Sequence, residues 1–104
     1  MTTVTIKGKE YDLKYTFNSF KYMQDLDVSV FEEIEKKPFL IAPVVETLLF
    51  GAVNHNAKQK VKQDDLIDFL DEFISDENNS LVELLESLME LLQKSGFFKS
   101  LQKK

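Results

Sequence analysis

The chain is predicted to be an α+β protein, mainly helical, with an N-terminal β-hairpin packed on a small bundle of about four to five helices. Three observations carry this expectation. Residues alternate apolar and polar at the start, an almost unbroken apolar stretch occupies the middle, and two strongly amphipathic helical patterns fill the second half.

In the opening segment Val4 and Ile6 stand between Thr3, Thr5 and Lys7, while Tyr11, Leu13 and Tyr15 stand between Glu10, Asp12 and Lys14. That is the period of two of half-buried strands. A two-residue turn at Gly8-Lys9 pairs Ile6 with Tyr11 and Val4 with Leu13, with Gly8 supplying the positive φ of a type II′ turn. A turn at Lys7-Gly8 opposes Ile6 to Lys9 and reads as the poorer register. Val4, Ile6, Tyr11 and Leu13 are expected inside, with Thr5 and Asp12 outside. Two strands alone are marginal in water, so the apolar face needs helices beneath it.

Thr16 reads as the cap of a helix from Phe17 to about Leu26. Ser29 with Glu32 forms a capping-box pattern for a short helix from Val30 to about Lys37, stopped by Pro38. The stretch FLIAPVVETLLFGAVN, Phe39 to Asn54, is apolar almost all round and is expected to be the central helix, with Pro43 opening or kinking it. NHNAKQKVKQ then reads as a polar loop with a solvent-facing His55. Next, Leu66, Ile67, Phe69, Leu70, Phe73 and Ile74 cover somewhat less than half of a helix whose other side is acidic. Ser80 and Glu83 form another capping-box pattern, and Leu81 to Leu92 carry a wide apolar stripe. Gly96 sits where a left-handed cap would end that helix.

The length of 104 residues suits one domain, divided as hairpin 1–15, helices 16–95 and tail 96–104. A hydrophobic fraction of 43% against 30% charged is that of a folding chain. No cysteine is present, so disulfides and thiolate chemistry are excluded and a cytosolic setting is expected. No secretory signal or membrane span is read, which leaves the sequon Asn78-Asn79-Ser80 idle. The net charge is −5 and all 13 basic residues are Lys, so the bidentate fork that reads phosphates and bases is missing. Nucleic acid is not expected as a partner.

Nothing in the sequence assembles a catalytic or cofactor site. His55 has no carboxylate at helical spacing, the run from Asp64 to Asp76 lacks the alternate ligands and Gly of a calcium loop, and no phosphate loop or nucleophile elbow occurs. The chain is therefore expected to bind no cofactor or metal and to be no enzyme. What is left is apolar surface, most of which must be core in so small a protein. Leu88, Leu91 and Leu92 on the last helix, with Phe97, Phe98 and Leu101 beyond Gly96, are the candidate partner-binding residues.

The opening TVTIKGKEYDLKYTFNSFKYMQDLDVSVFEEIEK resembles the start of tail assembly chaperones of long-tailed bacteriophages and prophages. LLFGAVNHNA, DDLIDFLDEFI and the Leu-rich helix follow in a similar order, so the resemblance covers nearly the whole chain. It implies a protein that acts in the host bacterial cytoplasm, holds the tape measure protein soluble and helps recruit tail tube protein around it. It also implies self-association, absence from the mature virion and, in many members, a longer frameshifted form. A small helical regulator or antitoxin-like binding module is the alternative reading, and an accessory subunit of an enzyme a more distant one.

Overall fold

A computed structural model describes residues 3–24, 26, 32–58, 60–96 and 99. Strands β1 (Thr3–Ile6) and β2 (Lys9–Asp12) form an antiparallel hairpin, followed by helices α1 (Phe17–Phe20), α2 (Ile41–Val53), α3 (Gln63–Ser75) and α4 (Leu81–Lys94). This is the α+β, mainly helical architecture expected from the sequence.

The hairpin face is as expected, with Val4, Ile6 and Leu13 buried, Tyr11 half-buried and Thr5 and Asp12 exposed. Its register is not. Val4 opposes Tyr11 and Ile6 opposes Lys9, and the turn is Lys7-Gly8, with φ of 51° and 77°. Two successive positive φ values are those of a type I′ turn, whose twist matches that of paired strands. Moving the turn by one residue shifts each cross-strand partner by two, so every side chain keeps its face; the two registers are equivalent in burial. Turn geometry and the continuation of the chain decide between them. In the observed register Leu13 lies beyond the ladder, and the Lys14 amide donates to the Ala52 carbonyl of α2 at 3.2 Å.

α2 lies against α1, α3, α4 and the 3-10 turn Pro38–Leu40 that leads into it. Val44, Val45, Leu48, Leu49, Ala52 and Val53 are all essentially inaccessible. Pro43 lies in the first turn, where its missing N–H costs no helical hydrogen bond, so α2 continues through it to Val53. Gly51 permits close packing: a Cβ there would lie 2.5 Å from Met23 Sδ and 3.2 Å from the Ser19 carbonyl.

Three helix boundaries differ from expectation. α1 is capped by Thr16, with Ser19 completing the box, but ends at Phe20 instead of near Leu26. From there the amides of Tyr22, Met23 and Leu26 each donate to the carbonyl three residues back, a tighter winding that sets Tyr22 edge-on to Phe50 at 4.9 Å. The Ser29 cap and the start of the expected Val30 helix lie outside the described residues; Glu32 and Glu33 are helical and Ile34 to Lys36 turn. At the far end, Ser95 leaves α4 in an extended conformation, with its hydroxyl donating to the Leu92 carbonyl at 2.7 Å. Gly96 has no positive φ, so the left-handed glycine cap is not used; the Ser95 amide also donates to the Leu92 carbonyl, at 3.1 Å.

Candidate functional site

The end of α2 meets the hairpin exit at a junction of buried polar groups. Asn54, which is fully buried, donates from Nδ2 to the carbonyls of Phe50 at 3.0 Å and Val61 at 3.3 Å, while Oδ1 accepts from the Val61 amide at 2.7 Å. Asn18 Nδ2 donates to the Asn54 carbonyl at 2.8 Å, and Thr16 Oγ1 to the His55 carbonyl at 2.6 Å. The Tyr15 hydroxyl donates to the Leu48 carbonyl at 2.9 Å, and burial pushes its pKa upward. The Asn54 and His55 carbonyls, just past the end of α2, thereby find donors outside the helix. No buried side-chain polar atom lacks a partner among the described residues.

His55 is not the solvent-facing loop residue its polar surroundings suggested. Its side chain is only 9% exposed, with Nε2 3.3 Å from Asp12 Oδ1. That hydrogen bond holds the Asp12 carboxyl below the ordinary aspartate range. Sequence spacing does not reveal such a pair, because α1 and α2 lie between the partners in the chain. The described residues contain no group of three His, Cys, Asp or Glu side chains able to hold a metal ion. No described helix is long and apolar enough to cross a membrane.

The partner-binding candidates separate. Leu88 is completely buried and packs in the core of its own chain, so it is unavailable to a partner. Its position seven residues after Leu81 and four after Leu84 turns it toward α2, the helix against which α4 is chiefly packed. Leu91 and Leu92 are half-buried at the edge of that core. Phe97, Phe98 and Leu101 lie outside the described residues.

Exposed apolar side chains occur instead where the sequence suggested core. Ile67 is 39%, Ile74 54% and Val82 53% exposed, and Phe39 is 94% exposed beside the start of α2. Ile67 and Ile74 flank an open groove of about 150 Å³ between α2 and α3, lined also by Ala42, Glu46, Leu70 and Leu81. On the opposite flank of α3 a larger cleft of about 570 Å³ runs under the hairpin turn, lined by Asp65, Asp68, Phe69 and Glu72 and closed at one side by the Lys7 to Asp65 ion pair at 2.7 Å. α3 is thus a ridge between two grooves. Only Leu66 of its apolar stripe is fully buried. The available hint was the width of that stripe, which is greater than one neighbouring helix can cover. Compared with known protein families, curated proteins and solved structures, the chain matches none of them.

Proposed function

We propose that this chain is a tail assembly chaperone of a long-tailed bacteriophage or prophage, which binds the tape measure protein and keeps it soluble while tail tube protein is recruited around it. The observation that carries the reading is the ridge of α3, where exposed Ile67 and Ile74 alternate with carboxylates. A long helical client has apolar faces that aggregate, and apolar side chains set among charges can cover such a face while keeping the complex soluble. The order of elements also supports it: a hairpin with a tight Gly turn, a capped short helix, an apolar central helix, an acidic helix and a Leu-rich helix. On this reading the protein acts in the host bacterial cytoplasm, self-associates and leaves before the virion is complete. Leu91, Leu92, Phe97, Phe98 and Leu101 remain proposed contacts for client or neighbouring subunit.

Co-expression with a phage tape measure protein tests the reading. The expected result is a shift of that protein into the soluble fraction and its co-purification with this chain. A tape measure protein that stays insoluble and fails to co-purify overturns it.

A further inference from the structure

The exposed face of α3 has a definite pattern. Ile67 and Ile74 are seven residues apart, two helical turns and about 10 Å along the axis, so both project to the same side. Leu70 and Leu81, both half-buried, lie between them and the core, and Ala42 and Glu46, four residues apart on α2, form the opposite wall. Two turns of apolar side chains between two helices is the shape that receives one face of a third helix.

The rim has one sign. Asp71 and Glu46 line the groove, and Asp64, one turn before Ile67, stands on the solvent side of α3. Gln63 Nε2 donates to Glu46 at 2.7 Å, which orients that carboxylate without neutralising it. Asp64 and Asp71 have no ion-pair partner among the described residues. A second copy of this chain supplies no match among the described helices longer than one turn, because the exposed Val82 of α4 stands beside Glu83 and Glu86; α1, which exposes Phe17 and Phe20, is a single turn. Like charges facing each other across a contact are unfavourable, whereas opposite charges steer and orient it.

We infer that the groove between α2 and α3 is the docking site for an amphipathic helix of a partner protein whose apolar stripe is flanked by Lys or Arg. Its apolar residues fill the space between Ile67, Leu70, Ile74 and Ala42, and its basic residues meet Glu46 and Asp71. The inference rests on the reading of this chain as a holder of apolar helices, and adds which surface does the holding and what kind of helix it accepts.

Fluorescence anisotropy with the full chain and two synthetic helical peptides provides the test. One peptide carries a Leu stripe flanked by Lys; the other has Glu at the same flanking positions. The Lys peptide is expected to bind roughly tenfold more tightly than the Glu peptide, and Ile67→Ser with Ile74→Ser to weaken it by roughly tenfold. Glu46→Gln with Asp71→Asn, which removes charge without disturbing apolar packing, is expected to weaken binding at low salt and to matter less at high salt. Equal binding of the two peptides overturns the inference, as does binding unaffected by either pair of substitutions. Conversion of a native oligomer to monomer by Ile67→Ser with Ile74→Ser also overturns it, by assigning the groove to a second copy. If that pair also abolishes folding, the chain with Glu46→Gln and Asp71→Asn decides. Tape measure protein kept soluble by both the native chain and a folded Ile67→Ser, Ile74→Ser chain overturns the groove and leaves the chaperone reading standing. Groove-dependent peptide binding without solubilisation of the tape measure protein does the reverse.

Discussion

The Asn54 side chain and the Val61 backbone exchange two hydrogen bonds, Oδ1 accepting from the amide at 2.7 Å and Nδ2 donating to the carbonyl at 3.3 Å, so that one buried carboxamide closes the loop between α2 and α3. Asn54→Leu leaves both backbone groups of Val61 buried without that partner, each costing about 1–3 kcal/mol. Asn54→Asp keeps the acceptor but loses the donor and places a charge in the core, so it is expected to be at least as damaging. Urea denaturation of the two variants checks the ranking.

Tyr15 contributes through its hydroxyl as well as its ring. Tyr15→Phe removes the bond to the Leu48 carbonyl and is expected to cost about 1 kcal/mol. Burial raises the folded-state pKa of Tyr15 above the ordinary value of 10.0. Its contribution is therefore complete below pH 10 and declines as the pH climbs above that value, where the unfolded chain loses the phenolic proton first. Melting temperature followed from pH 8 to 11 is expected to fall less steeply in Tyr15→Phe than in the native chain.

Gly51 is where α2 comes closest to the segment after α1. Gly51→Val introduces branched atoms within reach of Met23 and the Ser19 carbonyl, and overpacking of that kind costs about 1–3 kcal/mol. Adding Met23→Ala removes the closest clash and is expected to recover part of the loss, leaving the backbone contact. A double-mutant cycle in chemical denaturation measures the coupling.

Leu49 and Leu88 are both completely buried, on α2 and α4. Replacement of either by Ala is expected to cost about 2–5 kcal/mol. A loss of that size for Leu88→Ala, with binding of the Lys-flanked peptide retained in the folded fraction, separates its core role from that of a partner contact.

The turn rests on Gly8, around which a Cβ meets nothing within 4 Å. Gly8→Ala is thus purely a backbone change, and holding an L-residue at φ of 77° is expected to cost about 1–2 kcal/mol in thermal denaturation. Lys7→Asn places a residue that tolerates positive φ at the first turn position, and offsets loss of the exposed ion pair to Asp65.

Much of this protein was legible in its sequence because periodicity is a local property. The alternation of Val4 and Ile6, the all-round apolar character of Val44 to Val53, and the caps at Thr16 and Ser80 each specify an element through neighbours a few residues away. Other features depend on residues distant in the chain. The two hairpin registers bury the same side chains, so a contact from Lys14 to Ala52 and the paired positive φ values select one of them. The sequence around His55 is polar and reads as solvent-facing, whereas its partner Asp12 is brought to it only by the packing of the hairpin exit on the end of α2. Amphipathic stripes say which face of a helix is apolar, but coverage is set by how many neighbours reach that face. α4 puts Leu84 and Leu88 fully inside, whereas α3 buries Leu66 and leaves Ile67 and Ile74 at the edge of an acid-rimmed groove. The sequence alone determined the elements and their apolar faces; which apolar residues remain available to a partner was decided by tertiary packing, because burial depends on the whole assembly of helices.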